Sequence, residues 1–214
     1  MHKIVIATRN IGKFVEIRHI FTNHVHNLSS CVDSIHLSFT NEFRDLPYVI
    51  ENGSTLYENA LKKAREVSNF TSLPSLSDDT GLFVRALDGE PGIHAATYAG
   101  EQSTYEENVD KLLENMKDKE DTYAYFKTVC LLFIPNGYFS MKQEEKIIYA
   151  EGLLEGNIIP IKKGRNGFGY DPIFVPLNYN ITLAEMDEDE KNKISHRFKA
   201  IINLLNSINI KSLI

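Results

Sequence analysis

"TYAYFKTVCLLFIP" occupies residues 122–135 and "EKIIYAEGLLEG" residues 145–156. Both runs are rich in apolar and aromatic residues and read as long strands, with the turn signal "PNG" in the segment that links them. Two long strands in the middle of the chain predict a sheet with helices clustered around it. "KIVIAT" (3–8) is a short β-branched run bounded by polar "RN" and reads as a buried strand. "IGKFVEIRHIF" follows with apolar residues at 11, 14, 17, 20 and 21, the spacing of an amphipathic helix. "SIHLSF" (34–39) alternates as a second strand. "STLYENALKKAREVSNF" (54–70) reads as a helix opened by a capping box, Thr55 with Glu58, and striped by Leu56, Ala60, Leu61, Ala64 and Val67. "LPSLSDD" leads as a strand into residues 77–81, and a second capping box, Thr104 with Glu107, starts a helix ending near Met116. "ISHRFKAIINLLNSI" closes the chain as one helix striped at 198, 201, 202, 205 and 208. This mixture of helix and strand is α/β or α+β.

The chain has 214 residues, 43% hydrophobic and 24% charged, which suits one globular domain, or one domain of two lobes, with a sizeable core. Nothing in that composition suggests disorder. The net charge of −6 argues against a nucleic-acid-binding face but leaves room for a small anion held by a few focused Lys and Arg. Cys31 and Cys130 are expected to be buried, reduced thiols, with no CxxC or zinc spacing between them. "MHKIVIATRN" lacks signal-peptide architecture, and no apolar run approaches the ~20 residues of a membrane span. A soluble, cytoplasmic protein with no membrane partner is expected. His24 and His26 lack a partner at metal-site spacing and read as surface residues.

Four polar constellations carry chemistry. "TRNIGK" (8–13) joins a strand to a helix, where backbone N–H groups, a Gly and Lys13 make either an anion site or an ordinary turn. "SDDTG" (77–81) is either an Asx-turn capped by Gly81 or a carboxylate site for a hard cation. If residues 76–79 are extended, Asp78 and Asp79 point to opposite faces, so one of the two is the direct ligand. "GRNGFGYDPIF" (164–174) combines three glycines with Phe168 and Tyr170, a loop able to wrap a ligand and stack on a base. "DEDEKNKISHRFK" (187–199) places acids before a helix and Lys191, His196 and Arg197 at its start, against the dipole preference, and is either a solvated charged face or a set of donors for a phosphate or a base edge.

"IATRNIGKFVEI", "SLSDDTGL", "EPGIHAATYAGE", "GFGYDPIF" and "EKNKISHRFKA" resemble, in order and spacing, the inosine triphosphate pyrophosphatase (HAM1-like) family from residue 3 to about 205. The resemblance implies an elongated α/β fold with a mixed sheet, flanking helices and two lobes around a central nucleotide-binding cleft, in a homodimer. It implies Mg²⁺-dependent hydrolysis of XTP, ITP or dITP to the monophosphate and pyrophosphate. By the same resemblance Thr8, Arg9, Asn10, Ile11, Gly12 and Lys13 form the triphosphate cradle, Asp79 is the catalytic acid residue and a metal ligand, and Glu51 is the second magnesium ligand. Lys63 would face the phosphates and Thr80 would supply a hydroxyl. Phe168, Gly169, Tyr170 and Asp171 would form the nucleobase-side loop, with Lys191, His196 and Arg197 donating to the purine oxygens. Asp78 is implied as support or as a second, water-mediated metal contact. The chain departs from the family pattern at Arg9 (commonly Gly), Thr80 (Ser), His94 (Tyr) and Thr97 (Arg). A silent nucleotide-binding module, a septum-inhibitor-type pyrophosphatase of broader base preference and an RNA-binding protein are the rival readings.

Overall fold

The computed structural model describes residues 2–28 and 35–208. Cys31 lies outside the described residues, as does the side chain of His26. The strands are β1 (His2–Ile6), β2 (Ile35–Phe39), β3 (Ser75–Val84), β4 (Pro91–Gly92), β5 (Tyr123–Ile134), β6 (Lys146–Ile158) and β7 (Phe174–Pro176). The α-helices are α1 (Ile11–Leu28), α2 (Leu56–Thr71), α3 (Tyr105–Met116), α4 (Glu188–Ile194) and α5 (His196–Ser207). Among the described residues the strands form one sheet in the order β2-β1-β3-β5-β6-β7, with β4 paired to β3 off that path. β1 runs parallel to β2 and β3, whereas β4 is antiparallel to β3 and β7 to β6. The fold is therefore a mixed α/β sheet with flanking helices, as the sequence predicts.

The chain packs as two compact units. The first comprises Met1–Asp79, Thr128–Gly152 and Arg197–Ile214; its core gathers Ile4, Ile6, Phe14, Ile17, Leu76, Leu132, Ile201 and Leu204 among others. Cys130 belongs to that core, as expected, and its thiol is pushed up by burial and by the Asp78 charge. The second unit comprises Thr80–Lys127 and Leu153–His196, around Leu82, Val109, Leu112, Phe126, Ile173, Phe174 and Met186. β5 records the change in its own burial. Residues 123–127 alternate, while every residue from 128 to 134 is buried, the mark of a strand covered on both faces.

Several local expectations change. The closing segment is two helices: Ser195 is extended (φ −60°, ψ 149°) and ends α4 before α5 begins. The charge run then obeys the dipole, because Asp187 caps α4, Glu188–Glu190 fill its first turn and Lys191 and Lys193 its last. The α5 stripe correspondingly buries Ala200, Ile201, Leu204, Leu205 and Ile208, with Phe198 and Ile202 only partly covered. At the start of α2, Thr55 accepts from the Glu58 N–H as predicted, but the Glu58 carboxylate reaches back to Ser54 N–H and Oγ, both at 2.7 Å, one residue beyond the box. The Thr104–Glu107 box on α3 is complete. Lastly, residues 77–81 are not an Asx-turn, since β3 runs straight through Gly81. A Cβ at Gly81 would stand 2.7 Å from the Gly92 carbonyl oxygen, so glycine lets β4 close onto β3.

Candidate active site

In the first unit the turn after β1 is built by its own polar side chains. The Asn10 side chain accepts from the Lys13 N–H at 3.1 Å and so caps α1, while the Asn10 N–H donates to Thr8 Oγ1 at 3.2 Å. Arg9 turns outward: its guanidinium donates to the Leu46 carbonyl at 2.7 Å and lies over the Tyr48 ring, 5.5 Å from the centroid. Ile11 and Gly12 form the first turn of α1, and Ile11 is exposed.

Because β3 is extended at 78–79, its two carboxylates meet different partners, as alternation requires. Asp78 Oδ2 lies 3.1 Å from Lys13 Nζ and accepts from Arg197 Nε at 3.1 Å; Arg197 Nη1 donates in turn to Glu16 Oε2 at 2.6 Å. Glu16, Asp78 and Arg197 are all buried. Burial alone would push Asp78 up, but Lys13, Arg197 and Lys63 outweigh it and hold the carboxyl well below the usual aspartate range. Burial likewise works against the Arg197 charge, and Glu16 and Asp78 more than offset it.

Asp79 belongs to a second cluster. Lys63 Nζ donates to Asp79 Oδ1 at 3.2 Å and to Glu51 Oε2 at 2.5 Å, and Asn59 Nδ2 donates to Asp79 Oδ2 at 3.2 Å. Asn59 and Lys63 are one turn apart on the buried face of α2, which is how a single helix presents both to one carboxylate. Burial of its carboxyl pushes Glu51 up, Lys63 opposes this and the Asp79 charge adds to it, although part of the side chain meets solvent. Lys63 stays charged: burial opposes the charge, but Asp79, Glu51 and Asp78 push its ammonium above the ordinary lysine range. Two carboxylates converging on one cation are the hard-oxygen donor set that Mg²⁺ takes together with water and phosphate. Among the described residues no group of three or more His, Cys, Asp or Glu stands as a cage.

The second unit holds the glycine-rich loop. Gly167 and Gly169 have φ of 75° and 65°, and a Cβ on Gly167 would run into the Asp171 carboxylate. Asp171 Oδ2 accepts from the Phe168 N–H at 2.8 Å and from Lys191 Nζ at 2.6 Å, and Lys191 Nζ lies over the Phe168 ring, 5.1 Å from its centroid. Tyr105, at the start of α3, brings a second ring to 6.0 Å from that of Phe168. The buried Tyr170 hydroxyl donates to the Ala95 carbonyl at 2.8 Å, and its pKa is pushed up mainly by burial. His196 is buried with its ring stacked on Phe126, 4.7 Å between centroids. Thr80 is half-buried on β3.

The structure thus gathers Glu51, Lys63 and Asp79 into one cluster, joins Lys13 to Arg197 through Asp78, and joins Phe168 to Lys191 through Asp171. Arg197 and Lys191, paired by sequence, lie in different units. Sequence reasoning missed Asn59 and Glu16. Both are polar residues on helix faces that are otherwise buried, and that break in the apolar stripe was the available signal.

The sequence profile of the Ham1 family matches residues 4–207. A curated relative from Thermoanaerobacter pseudethanolicus, named dITP/XTP pyrophosphatase, is 41% identical over 96% of this chain and 96% of its own. Another with that name, from Oceanobacillus iheyensis, is 38% identical over 95% and 96%. Among solved structures, a HAM1 protein from Coxiella burnetii superposes with a TM-score of 0.80 at 36% identity over the whole of both chains. The Ham1 protein of Staphylococcus aureus gives 0.78 at 36% identity over 98% and 99%. The mixed α/β fold and the match over nearly the whole chain place it in one class with these proteins. This chain belongs to the Ham1 family.

Proposed function

We propose that the protein is a pyrophosphohydrolase that cleaves noncanonical purine nucleoside triphosphates (XTP, ITP and dITP) to the monophosphate and pyrophosphate. The observation that carries the reading is the Glu51–Lys63–Asp79 cluster: two carboxylates meet one cation beside a helix-capped turn rich in backbone donors. Glu51 and Asp79 would hold Mg²⁺, which when bound screens phosphate charge and makes a water more acidic. Asp79 then accepts the proton of the attacking water, a role suited to a carboxylate that Lys63 and Asn59 hold in place, each at 3.2 Å. Lys63 and Lys13 supply positive charge for the phosphates, and Ile11 and Gly12 in the first turn of α1 supply backbone donors. Asp78, already paired with Lys13 and Arg197, supports this arrangement.

In the second unit Phe168 gives the base a flat face, and Lys191 and His196 supply the donors that hypoxanthine and xanthine oxygens accept. Adenine offers an amino donor in that position and would leave them unpaired, a mismatch that discriminates by about 10⁴ or more when the site is built around it. Gly169, Tyr170 and Asp171 hold the loop, and Thr80 adds a hydroxyl. The names of the curated relatives support this choice of substrates. The same reading makes the enzyme a cytoplasmic homodimer without nucleic-acid or membrane partners; no described helix is long and apolar enough to cross a membrane.

The test is pyrophosphate release from dITP, XTP, ITP, ATP and GTP, with and without Mg²⁺. Metal-dependent release that favours the first three by orders of magnitude is the expected result. Equal release from all five would replace this reading with a general pyrophosphatase, and binding without release would replace it with a nucleotide-binding module.

A further inference from the structure

Glu51 is in the loop before α2, and Asp79 is on β3. Something must set the separation of these two carboxylates. Lys63 touches both, but a lysine on four methylenes follows its partners and does not fix them. Asn59 is different. It is buried, and both ends of its planar amide are engaged: Oδ1 accepts from the Gly53 N–H at 2.7 Å and Nδ2 donates to Asp79 Oδ2 at 3.2 Å. The amide therefore ties the backbone two residues after Glu51 directly to the Asp79 carboxylate.

The loop is pinned to α2 at three successive residues. Lys62 Nζ donates to Asn52 Oδ1 at 2.7 Å, Asn59 takes the Gly53 N–H, and Glu58 takes the Ser54 N–H at 2.7 Å. The Lys62 and Glu58 contacts are exposed, so water competes for them; the Asn59 contact is the sheltered one. Gly53 shows how tight the approach is. A Cβ there would lie 2.7 Å from Glu58 Cβ and 2.8 Å from Asn59 Oδ1. The path Glu51–Lys63–Asp79–Asn59–Gly53–Glu51 is closed at every joint.

We propose that Asn59 is a positioning residue which, through Gly53, sets the spacing of the Glu51 and Asp79 carboxylates and so their joint affinity for a divalent cation. The inference rests on the reading of Glu51 and Asp79 as the metal-holding pair. Groups that orient ligands in this way characteristically change metal affinity by ~10- to 100-fold when removed.

The experiment is a Mn²⁺ titration of the purified protein, without nucleotide, followed by the loss of free-ion electron paramagnetic resonance signal, with thermal unfolding run in parallel. Asn59→Ala is expected to weaken Mn²⁺ binding by at least ~10-fold. Gly53→Ala leaves the amide intact, crowds it, and should weaken binding in the same direction. Because both act through one linkage, the double variant should lose less than the product of the two single losses. Retained Mn²⁺ affinity in Asn59→Ala, or losses that simply multiply, would overturn the proposal. If Asn59→Ala does not fold, Gly53→Ala decides alone: unchanged Mn²⁺ affinity sinks the idea and a loss upholds it. Wild-type protein that binds Mn²⁺ but releases no pyrophosphate from dITP would remove the catalytic reading and leave the linkage standing.

Discussion

Asp78 and Asp171 are both buried carboxylates that accept from a lysine, yet they sit in different company. Asp78 lies among Lys13, Arg197 and Lys63, and its neutral form is strongly disfavoured by those cations. Asp171 accepts from a lysine and a backbone N–H, and that lysine is turned toward an aromatic ring. The first unit concentrates formal charge where phosphates and a metal would be handled. The second replaces charge with π surfaces and a glycine-shaped loop, which suits a neutral, flat base. Under the proposed function the two units would select on different physical grounds: the first on charge, the second on the hydrogen-bonding edge and the stacking face.

Four outcomes would break or sharpen this contrast. The largest belongs to Asp79→Asn, which removes the proton acceptor and one metal ligand while keeping the shape; kcat for dITP is expected to fall about 10²- to 10⁴-fold, read as pyrophosphate release. Retained turnover would dissociate the charged cluster from catalysis. Next is Arg197→Met, which leaves Glu16 and Asp78 buried without their shared cation and should cost about 3–5 kcal/mol in chemical denaturation. The same experiment carries a pH signature. Asp78 titrates lower folded than unfolded, so its contribution is complete above about pH 4 and is lost as the pH falls below that. Wild-type stability that stays level from pH 5 to pH 3 would contradict the assignment.

The aromatic region gives a smaller and different response. Phe168→Ala should raise KM for dITP by about 1–3 kcal/mol of lost stacking, leave the acid profile of stability unchanged and alter kcat little. The smallest effect is at Arg9, where the side chain grips Leu46 and Tyr48 from the turn. Arg9→Gly should raise KM by no more than about 1 kcal/mol with kcat held, because the contact is the same in ground and transition states. An unchanged KM would assign Arg9 to loop packing alone.

Much of this was legible in one dimension. Periodicity and apolar runs placed α1, α2, β1, β2, β5, β6 and the start of β3, because an apolar stripe must face a core wherever that core lies, and a capping box placed α3, whereas the short β4 and β7 went unread. Spacing along β3 separated Asp78 from Asp79 because extended side chains alternate. The errors share a cause. The break at Ser195 follows from a backbone turned extended between two helices, and the serine itself, a residue favoured just before a helix, was the available signal. The Glu58 carboxylate chose Ser54 over Thr55, a difference of one residue that depends on how the loop meets α2. The inverted dipole argument over residues 187–197 followed from the same missing break.

Most of the elements, the mixed α/β class, the family resemblance and the identity of the charged and aromatic residues follow from local periodicity and ordered motifs, while the division into α4 and α5 does not. Only the tertiary structure decided who meets whom. Arg197 joins Glu16 from 181 positions away, Lys63 bridges Glu51 and Asp79, and Asn59 ties Gly53 to Asp79. The physical reason is that a buried charge or amide must be satisfied at a distance of about 3 Å, whereas sequence spacing constrains only neighbours on the same element.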